Sequence, residues 1–217
     1  MAVNSTSARV RKVAVRLFAT KGFHGVGIRE LAQAANLSSA SLYHYMGTKE
    51  TLLADIMREC LERLLSAAQL AIADVDDPVE RVGRLVSLHV LAHAVQAAET
   101  AVVDNEVRSL SPAARRSVVA LRDDYEALWA EAITDGCRTG IFHSDDQGVS
   151  RRALLEMCSG VARWYSPKGP LPLPALATQY TGLALRALGA QPTTPDLARC
   201  AAIVSEVWGV RVVTAAG

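Results

Sequence analysis

Residues 22–53 read GFHGVGIRELAQAANLSSASLYHYMGTKETLL, and their punctuation decides the fold. Ile28, Leu31, Ala32 and Ala35 recur on one face of a short helix. Gly27 stands at its N-cap, and Val26 and Leu31 have the spacing of a hydrophobic staple. Asn36-Leu37-Ser38 breaks that pattern. Ser38 is a good N-cap for a second helix over Ser39 to Tyr45. Leu37 and Leu42 again have staple spacing, which fixes the angle at which the chain enters this helix. Two helices of about two turns each, joined by three or four residues, make a helix-turn-helix.

Helical periodicity continues on both sides. Before the motif, Val10, Val13, Ala14, Leu17 and Phe18 form one apolar stripe, while Arg9, Lys12 and Arg16 share a different face. Lys21-Gly22 closes that helix, Gly22 being free to turn left-handed. After the motif, Thr48 caps a long helix expected to reach about Ala73, with Leu52, Leu53, Ile56, Met57, Leu61, Leu64 and Leu65 on its apolar face. Pro78 suits the first turn of a helix running to about Ala98. Further helices are expected over Asp104 to Leu110, Pro112 to Cys137, Gly148 to Trp164, Leu173 to Leu188, and Pro195 to Trp208. Alternating strand patterns are nearly absent. The expectation is an all-α fold of nine or ten helices, with a helix-turn-helix domain over 1–48 and a second helical domain over 49–217.

Composition narrows the class. Half of the 217 residues are hydrophobic, so the chain buries a sizeable core and is not a disordered segment. Cys60, Cys137, Cys158 and Cys200 are irregularly spaced with no Cys-x-x-Cys, which argues for reduced thiols rather than a disulfide framework or zinc ribbon. The charge-free run from Leu85 to Ala98 falls short of the roughly 20 residues of a membrane span, and residues 1–7 lack the apolar core of a signal peptide. The expected location is cytoplasmic, with no membrane partner. Net charge is only +1, but it is unevenly distributed. Residues 1–50 carry seven basic and two acidic side chains, and the remainder carries sixteen and twenty. A basic N-terminal part suits phosphate, and an acidic remainder is repelled by it.

Gly22-Phe23, the Ile28-x-x-Leu31-Ala32 face, Leu37-Ser38, Leu42-Tyr43 and the Thr48-Lys49-Glu50-x-Leu52 run together resemble the DNA-binding region of the TetR/AcrR family of bacterial transcriptional regulators. The detailed match covers about the first 53 residues; the rest agrees in helix count and length. The sequence departs from the family pattern where many members have Thr in place of Gly27, Gly in place of Asn36 and an aromatic near Met46. With Gly27, one side-chain cap or phosphate contact is missing. The resemblance implies that Ser38, Ser39, Ala40, Ser41 and His44 face double-stranded operator DNA in the major groove. It implies that Tyr43, Thr48 and Lys49 contact phosphates. No Arg lies in the recognition helix, so specificity leans on small side chains and DNA shape.

The resemblance also implies that the remainder binds a small-molecule effector and forms a homodimer, because one recognition helix reads only a few base pairs. Two apolar stripes are the dimer candidates: Ala153, Leu154, Met157, Val161 and Trp164, and Leu176, Tyr180, Leu183, Ala184 and Leu188. The alternative is that they pack within one subunit. Effector-pocket candidates are His89, His93, Arg122, Tyr125, Trp129 and Trp164. His89 and His93 share a helix face with metal-ligand spacing, but no third ligand stands nearby, so no metal or cofactor is expected. Glu99, Asp104 and Glu106 are possible acidic partners for the two histidines. The stretch from Val161 to Leu171 is similar to a Trp-Tyr-x-Pro-x-Gly element of members that sense acyl-CoA thioesters, which implies a large, mostly apolar ligand with a charged end. An enzyme finds no support: there is no phosphate loop, no nucleophile elbow and no paired acid constellation. A helix-turn-helix that serves protein contacts instead of DNA stays open at this point.

Overall fold

A computed structural model describes residues 2–212, with side chains from Thr6 onward. Among the described residues the chain is all-α, with eleven α-helices, one 3-10 turn and no strand. The helices are α1 (Ala2–Lys21), α2 (Ile28–Ala34), α3 (Ser39–Met46), α4 (Lys49–Ile72), α5 (Pro78–Val95), α6 (Ala97–Asn105), α7 (Pro112–Arg138), α8 (Gln147–Ser159), α9 (Val161–Trp164), α10 (Leu173–Ala187) and α11 (Leu197–Trp208). Since α9 is a single turn after Gly160, ten helices exceed one turn.

The chain divides into two compact units, residues 1–61 with 98–121, and residues 62–97 with 122–217. This interleaved division differs from a cut at residue 48. No break exists there, because α4 begins at Lys49 and its first half belongs to the N-terminal core. Leu53, Ile56 and Met57 are fully buried in that core, and α6 adds Val102 and Val103 from far along the chain.

In the first unit, α1, α2 and α3 pack on one another. Val10, Ala14, Phe18, Leu31 and Leu42 are buried there, as the apolar periodicity requires. The short helices are held by their ends. Gly22 turns at φ +73° after α1, and Asn36 closes α2 at φ +54°, a conformation Asn tolerates better than most residues. Ser38 caps α3, accepting from the Ser41 amide at 3.1 Å. Gly47 ends α3 at φ 64°, ψ −121°, a backbone state open to glycine and few others. Thr48 caps α4 through the Thr51 amide at 3.0 Å. Ionic clamps reinforce this small core. Arg11 of α1 pairs with buried Glu99 of α6 and, at 3.2 Å, with Glu59 of α4.

The second unit is built around α5. Fourteen of its 18 residues are buried, so it is enclosed on all sides by α8, α9, α10 and α11. Asp77 caps it through the Glu80 amide, and Pro78 occupies its first turn. The helix ends at Val95, short of Ala98, and a new helix covers 97–105 where the sequence suggested only a short one starting at Asp104. Gln96 makes the break at φ −119°, ψ 34° with neither Gly nor Pro to announce it. Similarly, Gly148 to Trp164 is two helices, interrupted at Gly160. Polar groups inside this unit pair with one another: Ser87 Oγ lies 3.0 Å from Thr181 Oγ1, and the Cys200 thiol donates to the Arg84 carbonyl. Burial pushes the Cys158 thiol well up and the Cys200 thiol to about 12, so both are inert, protonated core residues. No single described helix is long and apolar enough to cross a membrane.

Candidate functional site

Helix α3 sorts its side chains by face. Leu42 and Met46 are buried and fix the helix to the core. Ser38, Ala40, Ser41, Tyr43 and His44 are exposed, and Ser39 is half-buried. Tyr43 is 50% exposed and Tyr45 is half-buried against the core, so only the former is free to reach a partner. The Ser38 and Ser41 hydroxyls lie 2.9 Å apart, and His44 sits edge-on to Tyr45 at 5.2 Å. The outer face is thus small and polar, carrying hydroxyls and an imidazole that can meet base edges. Arg9 donates from Nε to the Ala35 carbonyl at 3.0 Å, while Lys12, Arg16 and Arg29 are exposed basic side chains of the same unit.

Lys49 stands differently from the expectation of a simple phosphate contact. Its Nζ donates to the carbonyls of Phe23 at 2.9 Å and Val26 at 2.8 Å, and lies 4.2 Å from the centre of the Phe23 ring. These contacts tie the start of α4 to the turn between α1 and α2. Thr48 is exposed, with its hydroxyl engaged in the cap and 2.7 Å from that of Thr51. Glu50 accepts from the Ser111 amide at 2.8 Å, and hydrogen bonds to Ser111 hold its carboxyl below the usual range.

In the second unit His89, Tyr125 and Trp129 come together, but as a closed cluster. His89 Nδ1 meets the Tyr125 hydroxyl at 2.8 Å and Nε2 meets the Ser159 hydroxyl at 3.0 Å. Trp129 stands edge-on to the His89 ring at 5.7 Å, fully buried and with its indole N–H unpartnered. His93 stacks on His89 at 3.8 Å, and its Nδ1–H donates to the His89 carbonyl. The partners of His89 are therefore hydroxyls, not Glu99, Asp104 or Glu106. Glu99 pairs with Arg11, and Glu106 accepts from the Ser109 hydroxyl. Both ring nitrogens of His89 are engaged, which leaves none for a metal. Among the described residues no group of three or more His, Cys, Asp or Glu has metal-site geometry. Burial, with His93 adjacent, holds the His89 imidazole far below its usual range and therefore neutral.

A cavity of about 670 Å³ lies elsewhere in this unit, against the 165–172 loop and the start of α10. Tyr165, Pro167, Gly169, Leu171 and Leu173 line one side, Ala94 and Val95 of α5 another, and Arg211 supplies a cation. None of the six candidate pocket residues lines it, although Trp164 adjoins Tyr165. Arg122 is half-buried away from its lining. Trp164 is 54% exposed and stacks on Tyr180 at 6.4 Å. The loop was visible in sequence through its Trp-Tyr-Ser-Pro-Lys-Gly spelling; Arg211, some forty residues onward, had no local signal. Leu154, Val161, Leu176, Ala184 and Leu188 of the two stripes are buried in the core of this unit. Leu183 is 47% exposed, Ala153 is exposed, and Met157 and Tyr180 are half-buried.

Comparison with known proteins gives this geometry a lineage. Residues 10–56 match the family described as "Bacterial regulatory proteins, tetR family", and residues 75–188 match "Tetracyclin repressor-like, C-terminal domain". The chain belongs to the TetR family. Its helix-turn-helix is accordingly a DNA-binding element, and its homologues are transcription regulators, not enzymes. Among the similar TetR proteins is the HTH-type transcriptional repressor KstR2 of Rhodococcus jostii (strain RHA1), 29% identical over 178 residues, or 81% of this chain and 87% of that one. Among solved structures is the TetR-family regulator PfmR from Thermus thermophilus, 33% identical with a TM-score of 0.73, covering 82% of this chain and 97% of that one. AibR, solved in complex with isovaleryl coenzyme A and operator DNA, shares the fold at a TM-score of 0.75 and 24% identity, over 82% of this chain and 97% of its own.

Proposed function

We propose that the chain is a cytoplasmic, homodimeric repressor that leaves a palindromic operator when a small lipophilic effector of the acyl-CoA thioester class binds. The observation that carries this reading is the presence of an α3 face of exposed Ser38, Ala40, Ser41, Tyr43 and His44 with half-buried Ser39, together with a largely apolar cavity in the second unit. Ser39, Ala40, Ser41 and His44 read base edges, and Tyr43 and Thr48 meet phosphates. The cavity suits an acyl chain along Leu171, Leu173 and Val95, with Arg211 at hand for a charged end. The naming of KstR2 as a repressor and the presence of isovaleryl coenzyme A in AibR support this assignment.

Dimerisation is proposed through the outward parts of α8, α9 and α10: Met157, Trp164, Tyr180 and Leu183, with Leu154, Val161 and Ala184 shaping that face from beneath. Symmetry then sets half-sites roughly 34–36 Å apart, or multiples of that. An effector releases the operator only through its difference in affinity for the two states of the dimer.

The test selects bound sites from genomic fragments, then titrates the selected duplex by fluorescence anisotropy while thioesters of different acyl length are added. Release by a thioester, and not by free coenzyme A or the free acid, is expected. If no fragment is enriched, DNA-directed regulation by this chain is refuted; if fragments are enriched but no thioester releases them, the effector class is refuted alone.

A further inference from the structure

Among the expected DNA contacts, Lys49 is the one cation, and its ammonium is turned into the protein. Its ammonium carries three donors. Two are engaged by the Phe23 and Val26 carbonyls, and the ring of Phe23 lies 4.2 Å from Nζ on a further side. The two carbonyls belong to one turn, closed by the Val26 amide donating to the Phe23 carbonyl at 3.3 Å. That turn delivers the chain to Gly27 and the start of α2. Its course requires glycine at position 25, since a Cβ there would stand 2.4 Å from the Lys21 carbonyl oxygen. Lys49 itself begins α4, two residues after Gly47 ends α3. One cation therefore joins the entry to α2 with the exit from α3, the two ends of the helix-turn-helix.

We propose that Lys49 is a positioning residue for operator binding, acting through the 23–26 turn and not as a phosphate contact. The physical argument is competition. A phosphate gains one of the three donors unless the carbonyl bonds are broken, and breaking them takes the ammonium from the Val26 carbonyl and leaves the Phe23 carbonyl with the Val26 amide alone. The ammonium keeps its charge, but with two donors held by backbone carbonyls it forms no close pair with a phosphate and so releases few counterions when DNA binds. This refines the proposed DNA interface without depending on the effector or dimer reading.

The discriminating variant is Lys49→Met, which keeps the stem and removes every donor. Two measurements on the full chain decide the matter. First, amide hydrogen exchange without DNA: faster exchange at Val26 is expected, since its turn loses both clamps. Second, affinity for a selected operator at several salt concentrations, at a temperature where circular dichroism shows the variant folded. At least a ten-fold loss is expected, with the slope of log K against log salt unchanged. A phosphate-contacting lysine predicts the opposite pattern, exchange as in the wild type and a slope reduced by about one. Unchanged exchange, an unchanged affinity, or a slope lower by about one each overturns the proposal. If the variant binds too weakly for a slope, exchange alone decides, and Phe23→Leu, which keeps an apolar filling but removes the ring, is the second probe. It is expected to weaken binding with the slope again unchanged, and a lowered slope there also overturns the proposal.

Discussion

The two units hold their polar groups with different mixtures of charged and neutral pairs. The first ties short helices together with charged side chains: Arg11 to Glu99 and Glu59, Lys49 to two carbonyls, and Lys21 to Glu30. Helices of seven and eight residues offer few apolar side chains, so charge-assisted bonds at their ends supply much of their register. The second unit encloses α5 and adds neutral pairs, Ser87 with Thr181 and His89 with Tyr125 and Ser159, to one ionic cluster, buried Arg84 with Glu80 and Asp74. A long central helix has apolar contact on every side, and in that surrounding a neutral pair avoids the desolvation cost of a charge. The contrast is experimentally separable because Trp129, Trp164 and Trp208 all lie in the second unit. Tryptophan fluorescence therefore reports that unit, while operator binding reports the first.

The largest effect is expected from Arg11→Met. It leaves buried Glu99 without its guanidinium partner, and breaking such a pair costs about 3–5 kcal/mol. Operator affinity and the far-ultraviolet signal should fail at lower urea than the tryptophan signal. Coincident loss of all three would mean the ionic clamp is not particular to the first unit.

Gly136→Ala tests the second unit by packing alone. An added Cβ would lie 2.0 Å from the ring of Phe142, which is buried, so about 1–3 kcal/mol of destabilisation is expected. Here the tryptophan transition should shift to lower urea. A wild-type midpoint would show that the Phe142 ring moves aside freely.

Acidification tests the second unit through His89. His89 is neutral and buried, with its folded pKa depressed below the unfolded value. Below the unfolded pKa the unfolded chain binds a proton that the folded chain does not, so stability falls as pH drops from about 6.5, by at most about 1.4 kcal/mol per pH unit for this group. The tryptophan-detected urea midpoint of the wild type should decline across that window, and His89→Gln should flatten the decline. An identical pH profile in the variant would remove His89 as the cause.

The smallest effect is expected at the cap of α3. Ser38→Ala removes the acceptor for the Ser41 amide and costs about 1 kcal/mol, with a modest loss of operator affinity. Ser38→Asp, which restores an acceptor, should recover the stability; if it does not, the cap is not what holds α3.

How much of this was legible beforehand follows the range of the forces. The helix-turn-helix was readable because its signals are local: caps at Ser38 and Thr48, staples at Leu37 and Leu42, and turns at Gly22 and Asn36 are written within a few residues of where they act. The break at Gln96 was not, since apolar residues continue through it and no Gly or Pro marks it. Nor were the partners of His89, which stand 36 and 70 residues away. The spacing of His89 and His93 suggested a pocket lining or a bond to a buried acid, and the structure stacks the two rings and gives His89 two hydroxyl partners.

The sequence by itself determined the all-α class, the recognition helix and the basic N-terminal part, because periodicity, capping and charge depend on neighbours along the chain. Only the tertiary structure decided that α6 packs with the first unit, that Leu154, Val161 and Ala184 serve the core, that the cavity gathers the 165–172 loop with Arg211, and that Lys49 points inward. Each of these joins residues distant in sequence. Burial and the satisfaction of polar groups are settled by whatever the fold brings within a hydrogen-bond length, and no local pattern records that.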